Sequence, residues 1–265
     1  LLKDEPVFEA LNQLDLTATS LGNHEFDIGS AALLEKIRGK CASSGCNYPQ
    51  FRGANFEYLG ANVIDKKTGK NWIKPYIIKQ VGDVKVGIIG AVTVDTTHLV
   101  AGDGVKDLNF EDEATAINRY VPEIKQQGAT AIIVLIHEGA NYRGAANDPS
   151  YQCNGLQGPM VEMMPKLDPA VTMVISGHTH QAYTCKIDGR LLVQARSYGA
   201  YFTETTLTID KNQNRVVSAT AVNHLIDQEK LHTDADAQKL VDQVIELTKA
   251  VQARPIAQVA SPLNR

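Results

Sequence analysis

The 265-residue chain has no apolar run near the roughly 20 residues needed to span a membrane. It has no excess of positive charge. Twenty-six Lys and Arg face 30 Asp and Glu, a net charge of -4, which gives no general attraction to nucleic acid or an anionic membrane. Its 20 Gly and 10 Pro follow no three-residue period, so collagen-like and low-complexity classes are excluded. There is no internal repeat. The start lacks an initiator Met, and no basic stretch precedes an apolar one as in a signal peptide. Phe8, Leu11 and Leu14 repeat at helical spacing almost from the first residue, with strand-like 16–20 directly behind them. Such a start reads as a fragment or a processed chain. With 43% hydrophobic and 21% charged residues, a sizeable core can form, in one large domain or two small ones.

There are four cysteines. Cys41 and Cys46 bracket a short polar loop, which suits a local disulfide, whereas Cys153 and Cys185 lie far apart beside turn-like stretches. A four-cysteine zinc site needs two close pairs, and only one is close. An even count fits an oxidising compartment, although four thiols in a cytosolic enzyme would count the same. The balance favours extracytoplasmic disulfides.

The first half alternates strands and helices. A helix is expected over 30–38 and a strand over 58–63. A hairpin is expected over 76–81 and 85–89, turning at Gly82-Asp83. The pattern of Ala114, Ile117, Val121 and Ile124 predicts a helix over 111–127, with Pro122 inside it as a candidate kink and Gly128 as its stop. The unbroken apolar run 131–136 predicts a strand covered on both faces, 161–167 a short helix and 171–176 another buried strand. Further on, 184–187, 191–195, 202–209 and 216–222 read as antiparallel strands, and a final helix spans 234–253. The sum is an α/β layered domain.

Three strands end in residues with chemistry. Gly22-Asn23-His24-Glu25 follows the strand at 16–20, His137-Glu138-Gly139 follows 131–136, and Gly177-His178-Thr179-His180 follows 171–176. Ligands of open α/β sheets bind beyond the carboxyl ends of strands. Imidazoles and the Asn23 amide oxygen gathered there suit Zn, Mn, Fe or Ni. Taken singly, each motif has an ordinary reading. Asn23 could cap a helix, and a lone histidine after a strand is commonly a satisfied core or surface residue, the reading given to His98, His224 and His232. Three motifs at three strand ends favour the metal centre.

The strings Leu21-Gly22-Asn23-His24-Glu25-Phe26-Asp27, His137-Glu138-Gly139 and Gly177-His178-Thr179-His180 resemble the calcineurin-like metallophosphoesterases. More closely, the chain is similar to the bacterial 5′-nucleotidase and 2′,3′-cyclic phosphodiesterase family. Gly60-Ala61-Asn62-Val63, Val86-Gly87-Ile88-Ile89-Gly90 and Tyr198-Gly199 extend the likeness over about 4–225. The resemblance implies a four-layer α/β/β/α sandwich and two divalent metal ions, drawn from Zn, Mn, Fe, Co or Ni. It also implies hydrolysis of nucleotide phosphoesters by direct attack of a hydroxide held between the metals, and a periplasmic or cell-surface location, which strengthens the disulfide reading. By the same likeness Asn23, His137 and His178 match ligands of one metal and His180 a ligand of the other. His24 matches the catalytic histidine, and Asp27 the carboxylate that orients it and raises its pKa. Glu25 and Glu138 are read as orienting groups and Arg143 as an exposed loop cation.

The family pattern begins with Asp-x-His and Gly-Asp strand ends, which would lie upstream of Leu1; Gly82-Asp83 and Gly102-Asp103 do not replace them. The N-terminal strands of the sandwich are therefore expected to be missing. Residues 1–226 are expected to form an incomplete catalytic domain, and 227–265 a helical linker toward an absent C-terminal nucleotide-binding domain. The expected partners are a small nucleotide substrate and that domain, without nucleic acid and without a transmembrane segment in this chain. The parent protein would be active and this chain alone impaired. Two alternatives stand beside this reading: a noncatalytic fragment binding a partner or a single metal, and a sulfur-ester hydrolase of the same fold.

Overall fold

A computed structural model describes residues 2–41 and 45–255. The chain divides into two units. The smaller comprises 1–16, 35–55 and 232–265, and the larger 17–34 and 56–231. In the smaller unit, helices α1 (Glu5–Gln13) and α7 (Ala235–Gln252) pack together. Phe8 meets Phe51 edge-on at 5.5 Å, and the buried Glu5 carboxylate accepts from Tyr48 N and Asn47 Nδ2. Cys41 and Cys46 form a disulfide. Residues 42–44 of its loop, and the last ten of the expected linker, lie outside the described residues.

The larger unit starts with β1 (Ala18–Ser20), followed by α2 (Ser30–Ile37), which begins in this unit, and by β2 (Glu57–Leu59) and β3 (Val63–Asp65). Next come β4 (Tyr76–Val81), β5 (Val84–Val92), the one-turn helices α3 (Thr96–Leu99) and α4 (Gly102–Val105), β6 (Leu108–Phe110), α5 (Glu113–Gln126) and β7 (Ala131–His137). It closes with α6 (Pro159–Met163), β8 (Met173–Ile175), β9 (Ala182–Ile187), β10 (Arg190–Ala195), β11 (Tyr201–Asp210) and β12 (Arg215–Leu225). A six-stranded sheet in the order β4-β5-β7-β8-β10-β9 forms the centre. β5, β7, β8 and β10 run parallel, so their carboxyl ends share one edge. β7 lies between β5 and β8, and Ile132, Val134 and Ile136 are buried while Ile133 and Leu135 on its other face are only partly so, where cover on both faces was expected.

The outer strands are the expected hairpins, turning at Gly82 (φ 56°) and at Asp188-Gly189 (φ 50° and 73°). Such left-handed turn residues match the twist of paired strands. α5 runs through Pro122 and is capped by the Asp112 carboxylate at Thr115 N. Gly128, at φ 87°, ends it in the left-handed conformation. The buried Ile117, Val121 and Ile124 of α5 and Met160 of α6 share a core with Ile132 and Val134 of the sheet. A smaller core joins Met173, Leu191 and Val193 to Ala221 of β12. This mixed α/β fold, helices on a central sheet with a further strand pair against it, is the class expected.

Several elements depart from expectation. β8 is shorter than the buried strand expected over 171–176 and leaves Ile175 exposed, and α3, α4 and β6 were not expected. The strand expected over 58–63 is two: β2 pairs with β1, and β3 with β6. Between them Ala61 N donates to Gly90 O. The fully buried Asn62 amide accepts from Val92 N and donates to the carbonyls of Val92 and Glu111. Its side chain supplies the bonds that a continuing ladder would have made. A Cβ on Gly90 would lie 2.3 Å from Leu59 Cβ, so the crossing of the two segments requires glycine there.

Candidate metal centre

Beyond β1 the chain turns into a single 3₁₀ turn, Asn23–Phe26. Gly22 N donates to the Glu25 carboxylate at 2.6 Å. The fully buried Phe26 anchors the turn against Phe110 and Trp72, with ring centres 5.5 and 5.6 Å away. Asn23 thus points inward and is buried, whereas His24 keeps 79% of its side chain exposed. His24 Nδ1 lies 2.9 Å from Asp27 Oδ2, the pairing expected from a three-residue spacing.

His137 ends β7. Its Nε2 lies 2.9 Å from Asn23 Oδ1 and 3.2 Å from His178 Nδ1. Burial, with the neighbouring imidazoles of His178, His24 and His180, pushes the His137 pKa down to about 4. The ring is therefore neutral near pH 7 and can offer a lone pair. His178 and His180 both sit in the left-handed region, at φ 65° and 56°. The His180 ring lies beside Tyr198, with centres 5.8 Å apart.

The structure thus brings Asn23, His137 and His178 together, pairs His24 with Asp27, and sets His180 at the rim. Glu25 and Glu138 bind the backbone amides of Gly22 and Gly139. Arg143 is exposed. Of the remaining histidines, His224 stacks on Phe202 and pairs with Glu204.

Supporting residues were not assigned a role from the sequence, although Thr179 lies within the Gly177-His178-Thr179-His180 string. Thr179, between the two histidines, donates to Ala140 O and Gln194 Oε1. The buried Gln194 in turn donates to Gly177 O. Tyr183, buried and pushed up to about 12 by burial, contacts Ser176 Oγ and Ala140 N through its hydroxyl. A Cβ on Gly139 would fall 2.4 Å from Gly177 O, so the two histidine loops touch through backbone.

Among the described residues no three His, Cys, Asp or Glu side chains are grouped to hold a metal. The third donor beside His137 and His178 is an amide. An ion bonded at about 2.0–2.1 Å would hold neighbouring donors roughly 2.8–3.4 Å apart, from right-angled to tetrahedral geometry. The separations of 2.9 and 3.2 Å fit that requirement.

The calcineurin-like phosphoesterase family profile matches residues 4–182, and the chain belongs to that family. It is 30% identical over 260 residues to endonuclease YhcR of Bacillus subtilis, covering 98% of this chain and 20% of that protein. It is 35% identical over 230 residues to the cell wall protein Lmo0130 of Listeria monocytogenes, covering 82% and 29%. To the 2′,3′-cyclic-nucleotide 2′-phosphodiesterase/3′-nucleotidase of Salmonella typhimurium it is 29% identical, covering 70% and 27%. The chain therefore spans less than a third of each of these relatives. Among solved structures, the calcineurin-like phosphoesterase YfkN of Bacillus subtilis shares the fold at a TM-score of 0.73 and 22% identity, covering 93% of this chain and 75% of that one. The sulfate thiohydrolase SoxB of Thermus thermophilus does so at 0.71 and 17%, covering 94% and 39%. The two disulfides, Cys41–Cys46 and Cys153–Cys185, are both formed. No helix among the described residues is long and apolar enough to cross a membrane.

Proposed function

We propose that this chain is the catalytic-domain portion of a phosphoester hydrolase that uses two divalent cations and acts outside the cytoplasm on small nucleotides, either 5′-nucleotides or 2′,3′-cyclic nucleotides. The observation that carries the reading is the approach of Asn23 Oδ1 and His178 Nδ1 to His137 Nε2, at 2.9 and 3.2 Å, next to the His24–Asp27 pair. When bound, the cations supply Lewis acidity and an activated water for in-line displacement at phosphorus. Asn23, His137 and His178 would hold one cation and His180 would contribute to the other. Asp27 holds Nδ1 of His24 and so fixes its ring, which leaves Nε2 to meet the phosphoryl group and to give a proton to the departing oxygen. The buried Gln194 and the half-buried Thr179 keep the histidine loop in place during the step.

The net charge of -4 favours a small ester over a nucleic-acid strand. The segment 227–265 is proposed to lead toward a nucleotide-binding domain of a longer protein, and the disulfides and the cell wall relative support an extracytoplasmic site. This chain offers three donors to one cation and one to the other, so alone it should turn over weakly. The test is hydrolysis of 4-nitrophenyl phosphate, AMP, 2′,3′-cyclic AMP and a thiosulfonate by the chain and by the longer protein, with Mn²⁺ or EDTA. Mn²⁺-dependent release of phosphate, faster from the longer protein, is expected. Equal rates with EDTA would overturn the reading, and cleavage of the thiosulfonate alone would move it to sulfur esters.

A further inference from the structure

Tyr198 is 96% exposed, the largest exposure among the large apolar and aromatic residues described. It lies in a tight turn, Ser197 to Ala200, closed by Ala200 N donating to Ser197 O at 3.2 Å. Both central residues have positive φ, Tyr198 at 60° and Gly199 at 66°. Turns of that kind take Asn, Asp or Gly, because a Cβ crowds the backbone there. A tyrosine at the first central position is strained, and with its ring in water it recovers almost nothing by burial. Folding gives no reason for this side chain at this place. Backbone strain of this sort gathers where a site needs a particular side chain in a particular direction.

The place is specific. The turn follows β10, which runs parallel to β8 with Val193 opposite Ile175, so it emerges at the same sheet edge as His178 and His180. Arg196 N donates to Gln181 O at 2.7 Å and ties the turn to the histidine loop. Arg196, His178 and His180 are left-handed as well, at φ 64°, 65° and 56°. The Tyr198 ring meets His180 edge-on, at an interplanar angle of 63°, so it stands beside the cation-binding groups without covering them.

We propose that Tyr198 is a substrate-binding platform of the catalytic portion itself, whose ring stacks on the planar aromatic part of the phosphoester, a nucleobase or an aryl group. This rests on the phosphoester reading and adds to it a selectivity: aromatic esters over aliphatic ones of equal charge. Stacking of a base on an aromatic side chain is sequence-tolerant, so the platform would accept purines and pyrimidines alike.

The test compares AMP with glycerol 3-phosphate. Calorimetry with Mn²⁺ measures the affinity of each for the chain, its Tyr198→Ala variant and its Tyr198→Phe variant, while released phosphate is followed in the same samples. The ratio of AMP to glycerol 3-phosphate affinity should fall about tenfold in Tyr198→Ala and return in Tyr198→Phe. Unfolding midpoints close to that of the parent chain are expected, since alanine keeps the same Cβ at φ 60° and the exposed ring buries almost nothing. An unchanged ratio, an equal loss for both esters, or no AMP binding to the parent chain overturns the platform. The altered ratio without phosphate release from either ester by the longer protein would keep the platform and overturn the hydrolase reading.

Discussion

Asn23 is buried, and His24, the next residue, leaves most of its ring in water. The same division runs through the whole centre. Asn23, His137 and His178 meet in a shielded cluster, whereas the His24–Asp27 pair and Tyr198 lie at the solvent face. Burial keeps His137 neutral and suits it to donate a lone pair. Exposure suits His24 to reach a substrate arriving from solvent and to exchange protons with it. On the proposed reading the buried half holds a cation and the exposed half acts on the substrate, and a single 3₁₀ turn, pinned by Phe26, separates Asn23 from Asp27.

The contrast breaks if the two halves cannot be lost separately. The largest effect is expected from His24→Ala, which should lower the turnover of the longer protein about 10²–10⁴-fold and leave its Mn²⁺ affinity little changed. His137→Ala should do the reverse in a binding measurement, weakening Mn²⁺ at least about 100-fold by calorimetry. Parallel loss of cation affinity in both variants would remove the distinction.

The supports of the buried half come next. The Cys153–Cys185 disulfide ties the loop that follows His137 to β9, the strand that follows His180, across 32 residues. Replacing both cysteines by serine should cost about 3–4 kcal/mol in urea unfolding, from the freedom regained by the unfolded chain. A loss under 1 kcal/mol would mean that the loop is held by its other contacts, such as Lys186 N to Tyr151 O.

The smallest effect concerns a buried carboxylate away from the histidines. Glu113, at the start of α5, accepts from Val94 N, and burial raises its pKa above the ordinary 4.5, with a further push from Glu138. A carboxyl raised in the folded state favours folding while protonated, and that advantage is lost as pH rises through the folded pKa. The stability of Glu113→Gln relative to the parent chain should therefore climb from pH 4.5 upward and level off, as read from urea midpoints. A flat difference would show that Glu113 is solvated enough to ionise freely.

Much of this was readable along the chain. The β4–β5 and β9–β10 hairpins declare themselves through Gly82-Asp83 and Asp188-Gly189, and β7 through its apolar run. α5 is visible through its stripe and the stop at Gly128. The candidate site was legible as far as motifs reach, because glycine and histidine directly after a strand are local signals. Gln194 and Tyr183 gave no such signal, and Thr179, though inside the Gly-His-Thr-His string, showed no role of its own there. Each is an ordinary residue of a strand or loop whose importance comes from a carbonyl or hydroxyl far away in sequence. The split of 58–63 was hidden for the same reason, since only the distant Val92 and Glu111 show that Asn62 takes over the ladder.

By itself, the sequence determined periodicity, turns and the residue types at strand ends, since these depend on neighbours a few positions apart. The tertiary structure alone decided that β5, β7, β8 and β10 lie side by side and in parallel. That order brings the ends of β7, β8 and β10 together, and with them His137, His178 and the turn that stands Tyr198 next to His180; the packing of the separate β1–β2 pair against β5 and β7 adds Asn23 and exposes His24. Those outcomes follow from packing and hydrogen bonding between segments as many as 114 residues apart, as for Asn23 and His137, which no local pattern encodes.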